Sequence, residues 1–209
     1  MAAEQAGQLS VLARLLYPYA GDRSEVVARR LIRHFGSIRT IWSASIEALD
    51  EALAQAEECP AEVGALIVAA RQLAEAAARE ALIGQPIDTR APEFRYYLVR
   101  RLGMRREECL MILFFTGEGL FLAEDFYDGG QRAEVTIPLR QTVRRALDLD
   151  ARRLVVAHNH PSGSAEPSEA DIAATAQLRR VVEALEVGLD DHCIVAGNVI
   201  ASMRSMGLI

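Results

Sequence analysis

Residues 153–171 read RLVVAHNHPSGSAEPSEAD, a stretch in which the character of the chain changes twice. The apolar run from Arg153 to Ala157 predicts a buried strand. The proline and glycine residues that come next predict a tight loop, and Ser168 is a residue type preferred at helix N-termini. Residues 168–187 then show the apolar spacing of an amphipathic helix. The stretch therefore predicts a strand, a tight loop and a helix in succession.

Two histidines stand at the end of this predicted strand. His158 and His160 are one residue apart, and side chains alternate along an extended backbone, so both imidazoles point to the same side. Asp171 lies three residues after Ser168, in the first turn of the predicted helix, and faces back towards the loop. Two neutral nitrogens and one carboxylate give the ligand count of a catalytic zinc site, at which a water molecule has a pKa of about 7.

Other interpretations of these residues are available. A His-x-His pair alone is often two ordinary loop histidines, but an aspartate at helix pitch after the loop favours a metal site. Ser162 or Ser168 could instead act as a nucleophile. Neither serine lies in the G-x-S-x-G pattern of a nucleophile elbow, so this alternative is disfavoured.

The rest of the second half alternates strands and helices. Two apolar and aromatic runs separated by Thr116-Gly117-Glu118-Gly119 predict a hairpin, and Gly197-Asn198 predicts the turn of another. The predicted strands are Cys109–Phe115, Leu120–Phe126, Glu134–Ile137, His192–Ala196 and Val199–Ser202, and the predicted helices cover 92–102 and 139–148. This half is therefore predicted to be α/β with a sheet rich in antiparallel pairs.

The first half predicts a small all-α domain. Residues 8–83 show helical apolar spacing, and punctuating residues divide them into four or five short helices. The expected helix ends and starts are at Pro18 with Gly21-Asp22, Gly36, Ser45 and Pro60. Turn residues concentrate in 84–92, which we interpret as a linker. The predicted domains are therefore 1–83 and 93–209.

Composition narrows the class of protein. The formal net charge is −6 and neither half is basic, which lowers the expectation of nucleic-acid binding, because such proteins neutralise phosphates with a basic stripe. There is no run of eighteen apolar residues and no secretory signal pattern, so we expect a cytoplasmic protein without a membrane segment. Cys59, Cys109 and Cys193 stand singly and are expected to be core residues.

The histidine segment resembles a known motif. His158-x-His160-Pro161, Ser168 and Asp171 match the JAMM motif of the JAB/MPN metalloproteases. The run HNHPSG at 158–163 and the later Asp191-His192 resemble more narrowly the RadC branch, whose members carry the label of DNA repair proteins. The resemblance extends to the helical half at 31–37. It implies an α/β fold of the cytidine deaminase-like or MPN type, a mixed sheet with flanking helices, preceded by the all-α domain.

The resemblance also implies roles for individual residues. His158, His160 and Asp171 would hold Zn²⁺, and Ser168 would steady an oxyanion. A glutamate that opens an early strand would act as general base, and Glu108 stands at that place. Glu107 stays open as the alternative, because a slip of one residue reverses the side chain. His192 is left outside the catalytic set, because a histidine that opens a buried strand is often simply hydrogen-bonded in place.

One departure from the family concerns the helical domain. Relatives end this domain in a helix-hairpin-helix whose Gly-Ile-Gly approaches DNA phosphates. Residues 55–64 read QAEECPAEVG instead, with three acids and a proline that would repel phosphate and remove a donor. A degenerate helix-hairpin-helix that packs against the catalytic domain or binds protein is therefore expected.

Three functions follow from these observations. The first is a zinc metallopeptidase that cleaves an amide or isopeptide bond of a peptide or protein substrate. The alternative is a DNA repair or recombination accessory protein that binds nucleic acid through its helical domain. A partner-binding scaffold with a vestigial metal site is the third. The complete ligand set argues against the scaffold, and the acidic hairpin region argues against nucleic-acid binding.

Overall fold

The structure, a computed structural model, describes residues 2–54, 62–128 and 136–209. The chain divides into two compact units, Met1–Ala74 and Glu75–Ile209, and the division falls within one helix, Val63–Glu80. The bounds 1–83, 84–92 and 93–209 proposed for the domains and linker remain predictions. Among the described residues, no helix has both the length and the apolar character needed to cross a bilayer.

The first unit is helical. Its helices are α1 (Ala2–Ala20), α2 (Ser24–Phe35), α3 (Ile38–Ser43), α4 (Ile46–Leu53) and the first part of α5 (Val63–Glu80), with a 3₁₀ turn at Gly21–Arg23. The inward side chains form one apolar cluster that includes Leu16, Leu31, Leu49 and Ile67. Burial of these side chains is the main favourable contribution to packing of the helices.

The predicted helix boundaries at Gly36 and Ser45 are confirmed in the first unit, and the predicted start of α2 is wrong. Gly36 closes α2 in the left-handed conformation at φ 82°, and Ser45 caps α4 by accepting from the Ala48 N–H at 3.2 Å. The prediction that Pro18 and Gly21-Asp22 end the first helix and cap the next is correct only in part. Helix α1 continues past Pro18 and ends at Ala20, directly before Gly21, and the N-cap of α2 is Arg23 without a side-chain cap. Pro18 lies within the last turn, where a missing N–H and a ring clash disturb only the end of the helix.

The second unit contains a five-stranded mixed sheet. Its elements are α6 (Pro92–Leu102), β1 (Cys109–Phe115), β2 (Phe121–Asp128), α7 (Leu139–Asp148), β3 (Arg153–Asn159), α8 (Glu169–Glu183), β4 (Gly188–Ala196) and β5 (Val199–Ser202). The strand order is β2-β1-β3-β4-β5, with β3 and β4 parallel and the other pairs antiparallel. Helix α8 makes the crossover between the two parallel strands.

Apolar side chains cover both faces of this sheet. Alternate residues of β1 and β3 face opposite ways, so Met111 and Val155 join α6 in one cluster. Ile112 and Val156 join α7 and α8 in the cluster on the other face. This mixed sheet with flanking helices, which follows a helical region in the chain, confirms the predicted fold class.

Four predicted elements are confirmed to the residue, namely 92–102, Cys109–Phe115, 139–148 and Val199–Ser202. The long predicted helix ends early at Glu183, because Glu186 adopts φ 60° and the Val187 N–H turns back to the Val182 carbonyl. Other predictions fall wholly or partly outside the described residues. These are the helix start at Pro60, the core position of Cys59, the acidic segment 55–64 and the strand Glu134–Ile137.

Candidate metal centre

His158 and His160 lie at the end of strand β3, at one edge of the sheet. His158 lies on the same face as Val156, the face that α8 covers, and it is almost fully buried. The chain leaves the strand after Asn159, but the His160 N–H still donates to the Val195 carbonyl of β4 at 2.9 Å. Their rings meet edge to face, with 2.9 Å between the two Nε2 atoms. The predicted convergence of the two imidazoles is present in the structure.

Helix α8 brings the carboxylate to the same point. Ser168 is the N-cap, so Asp171 lies in the first turn and faces the histidines, as the sequence spacing predicts. Asp171 Oδ1 lies 3.2 Å from His158 Nε2, and Oδ2 lies 3.4 Å from His160 Nε2. The three side chains come from a strand end, a loop and a helix start, and they converge within one hydrogen-bond length of each other.

The spacing of these three groups fits a metal ion. Two ligands of a tetrahedral zinc ion with bonds of 2.0–2.1 Å lie about 3.3 Å apart. The two Nε2 atoms lie 2.9 Å apart, and Asp171 presents Oδ1 at 3.2 Å from one and Oδ2 at 3.4 Å from the other, distances close to that value. Imidazole nitrogens and a carboxylate oxygen are also ligands that zinc takes in catalytic sites. The residues present therefore fit a zinc ion in both chemistry and spacing.

The charges at the centre support the same conclusion. His160 Nδ1 lies 2.9 Å from the Ser164 carbonyl, which can only accept, so a neutral His160 directs the Nε2 lone pair at the other two groups. Partial burial of Asp171 opposes its ionisation, but hydrogen bonds from His158 and Ser168 outweigh burial and hold its pKa well below its usual range. An ionised carboxylate and neutral imidazoles are the forms of these groups that bind a metal ion.

Ser168 is engaged with Asp171. Its hydroxyl donates to Asp171 Oδ2 at 2.7 Å and accepts from the Asp171 N–H at 3.1 Å, while the Ser168 N–H also donates to Oδ2 at 2.8 Å. This capping box fixes Oδ2 and leaves Oδ1 facing His158. Donation from Ser168 to an oxyanion remains a prediction, and it requires the hydroxyl hydrogen to turn away from Asp171.

The two candidate bases stand in different places. Glu108 is partly buried, and its Oε1 lies 3.7 Å from His160 Nε2. Glu107 has an exposed side chain. Glu108, His158 and His160 also form a second possible donor set, with ligand atoms within 4.8 Å of one another. Asp171 is the better third ligand because it lies closer and contacts both rings, which leaves Glu108 at the rim of the centre.

Asn159 explains why Glu108 takes this position. The side chain is buried; its Oδ1 accepts from the Cys109 N–H at 2.8 Å, and its Nδ2 donates to the Glu107 carbonyl at 3.0 Å. The amide therefore holds the peptide groups on both sides of Glu108 and continues the β1–β3 pairing where the ladder ends at Leu110 opposite His158. In the sequence, Asn159 is visible only as an amide between two histidines. Its role depends on strand β1, which lies fifty residues away along the chain.

His192 was expected to open a strand and lies instead in the middle of β4. Its Nε2 lies 2.8 Å from His158 Nδ1, and its Nδ1 lies 2.6 Å from the Thr175 hydroxyl. Burial lowers the pKa of His192 to about 3, and the nearby His158 acts in the same direction, so the ring is neutral at neutral pH. Sequence reasoning missed Thr175, since a threonine inside a helix carries no distinctive signal.

Comparisons with known proteins place the second half of the chain in a family. The family described as the RadC-like JAB domain matches residues 89–208. A UPF0758 protein of Rhodobacter capsulatus is 33% identical over 183 residues, which cover 88% of this chain and 84% of the relative. A UPF0758 protein of a Marinomonas species is 30% identical over 88% of this chain and 80% of the relative. A UPF0758 protein of Neisseria meningitidis serogroup C is 31% identical over 87% of this chain and 79% of the relative.

Removal of one histidine of the centre tests whether it holds zinc. We expect metal-free protein to take up about one Zn²⁺ per chain in a titration against a chromophoric chelator. His160→Ala should weaken binding by more than the roughly 100-fold that loss of an outer partner costs, because a ligand itself is removed.

The matched control is His34→Ala, which removes an exposed histidine of α2 and should leave zinc affinity unchanged. Equal zinc affinity in His160→Ala and His34→Ala would show that the centre does not bind the metal.

Proposed function

The chain belongs to the RadC-like JAB domain family of the JAB/MPN superfamily, and on that premise we propose that it is a zinc-dependent hydrolase. The bond cleaved is an amide or isopeptide bond, which makes the protein a metallopeptidase. One observation carries the proposal. His158, His160 and Asp171 converge at 2.9–3.4 Å, with the Glu108 carboxylate 3.7 Å from His160 at the edge of the group.

Zinc is the cofactor that this donor set supports. His158 Nε2, His160 Nε2 and Asp171 Oδ1 would be the ligands, and three protein ligands leave a position open for water or substrate. A zinc ion at such a position supplies Lewis acidity, which polarises a carbonyl group and lowers the pKa of water. The chain's own residues supply the remaining requirements, which are a proton acceptor, its orientation and stabilisation of charge.

Glu108 is the proton acceptor in this proposal. Its Oε1 lies farther from His160 than Asp171 does, so it stands outside the ligand set and within reach of a water molecule at the centre. The carboxylate would take a proton from the attacking water and return it to the leaving amine, as a general base and then a general acid. Partial burial keeps this carboxylate beside the reacting atoms rather than in bulk solvent.

Asn159 and Ser168 support these groups in different ways. Asn159 fixes the backbone on both sides of Glu108, which limits the positions that the carboxylate can take. Ser168 holds Asp171 Oδ2. The same hydroxyl could donate to a developing oxyanion if its hydrogen turned towards substrate, where one such donor is worth roughly 2.7–4 kcal/mol.

The substrate class in this proposal is a peptide or protein. Cleavage of an amide releases an amine that needs a proton, and Glu108 would return one. The alternative of a nucleic-acid accessory protein has less support, because the formal net charge is −6. Its proposed binding element lies in the acidic segment 55–64, most of which is outside the described residues.

Glu108→Gln separates zinc binding from catalysis. The variant should bind zinc like the wild-type protein, since no ligand is lost, and its turnover should fall at least about 100-fold, since glutamine cannot accept the proton. The measurement is cleavage of a defined peptide mixture, including peptides with a lysine isopeptide bond, followed by mass spectrometry of the products.

Glu107→Gln is the control, because it makes the same change at an exposed side chain one residue away. Its turnover should stay close to that of the wild type. If Glu107→Gln lost activity while Glu108→Gln kept it, the assignment of the base would be wrong.

Asn159→Asp tests the positioning of Glu108. Aspartate keeps the acceptor for the Cys109 N–H but places an oxygen against the Glu107 carbonyl, so the segment should shift. Small displacements of a catalytic group cost about 100-fold, so we expect a loss of that order in turnover with zinc affinity retained.

A suitable control is Gln177→Glu, which adds the same charge at an exposed site on α8. Gln177 lies six residues beyond Asp171, about 9 Å farther along the helix. Wild-type turnover in a folded Asn159→Asp variant, checked by thermal unfolding, would contradict the role assigned to Asn159.

A further inference from the structure

A line of buried polar groups runs behind the candidate zinc ligands. Thr175 and His192 are almost completely buried between α8 and the sheet. His158 Nδ1 lies 2.8 Å from His192 Nε2, His192 Nδ1 lies 2.6 Å from Thr175 Oγ1, and Thr175 Oγ1 lies 2.5 Å from the Asp171 carbonyl. The line therefore begins at one ligand and ends on the backbone of another.

The donor and the acceptor of each hydrogen bond in this line follow from the number of hydrogens that each group carries. A threonine hydroxyl has one hydrogen. The Asp171 carbonyl at 2.5 Å and Met203 Sδ at 3.6 Å can only accept, so Thr175 donates on this side, to the closer carbonyl. His192 Nδ1 must then donate to Thr175 Oγ1. A neutral imidazole with a hydrogen on Nδ1 has a bare Nε2, which can only accept.

The hydrogen on His192 Nδ1 also determines which nitrogen of His158 carries a hydrogen. Because His192 Nε2 accepts, His158 Nδ1 must carry the hydrogen between the two rings. The remaining nitrogen of His158, Nε2, then presents its lone pair to His160 and Asp171 when the ring is neutral. This is the tautomer that a zinc ligand needs, since the nitrogen bonded to the metal cannot also hold a hydrogen.

We propose that Thr175 and His192 are positioning residues that hold His158 in the tautomer that binds zinc through Nε2. The inference rests on the proposed zinc centre but adds two residues that do not contact the metal. A neutral histidine in this place orients His158 without adding a second buried negative charge beside Asp171. Thr175 also contacts the Asp171 backbone, so one hydroxyl links the helix ligand to the strand ligand.

Loss of the Thr175 hydroxyl should reverse the donor and acceptor in the hydrogen bond between His192 and His158. In Thr175→Val the His192 Nδ1–H has no acceptor, so the His192 hydrogen should move to Nε2, where it meets His158 Nδ1. His158 must then accept at Nδ1 and carry its hydrogen on Nε2, against the metal. Loss of an outer partner of this kind costs about 10- to 100-fold in metal affinity, and we expect a weakening in that range.

Thr175→Ser is the matched control, because serine keeps the hydroxyl and removes only a methyl group. Both variants and the wild type are titrated with Zn²⁺ against a chromophoric chelator, after thermal unfolding shows that each is folded. Weaker binding by Thr175→Val alone is the expected result. Wild-type zinc affinity in a folded Thr175→Val would overturn the proposal.

A spectroscopic measurement separates this proposal from the zinc centre itself. Long-range proton–nitrogen NMR spectra of the metal-free wild type should show His192 with its hydrogen on Nδ1, and Thr175→Val should show it on Nε2. A hydrogen on Nε2 of His192 in the wild type would overturn the inference whether or not zinc binds. Failure of the wild type to bind zinc, with His192 protonated on Nδ1, would instead overturn the proposed function.

Discussion

Two imidazole nitrogens lie 2.9 Å apart at one edge of the sheet, and each lies 3.2–3.4 Å from a different oxygen of the Asp171 carboxylate. Lone pairs held at this distance repel one another unless a positive charge lies between them, and either a proton or a metal ion can supply that charge. Hydrogen bonds from His158 and Ser168 hold the pKa of Asp171 well below its usual range, so this carboxylate is negatively charged. A divalent ion would satisfy all three groups together.

The fold makes this arrangement rigid. Strand β3 ends at the centre, α8 begins there, and β4 returns parallel to β3, so three successive elements meet at one edge. Each side chain at the centre has a second contact that limits its motion, as His160 has with Ser164 and Asp171 has with Ser168. The apolar cluster under α8 anchors the same elements. The geometry therefore depends on packed elements rather than on loop conformation alone.

Local patterns predicted much of the fold and part of the centre. Strand β1, helix α7 and strand β5 were predictable because each is a short periodic run bounded by turn residues. His158, His160 and Asp171 could be placed together because strand alternation and helix pitch fix their directions over fourteen residues. The candidates for the general base could be narrowed to Glu107 and Glu108, but their positions in the sequence could not decide between them.

The remaining contacts depend on pairing across the sheet. Asn159 acts on residues near position 108, and His192 reaches His158 only because β3 and β4 are parallel neighbours. No local pattern encodes either contact.

The most direct test of the centre is an anomalous difference map above the zinc edge, from a crystal grown with one equivalent of Zn²⁺. We expect a peak about 2.0–2.1 Å from His158 Nε2, His160 Nε2 and Asp171 Oδ1, with Glu108 beyond bonding distance. Zinc density away from these three atoms, or none in zinc-saturated crystals, would contradict the proposed centre.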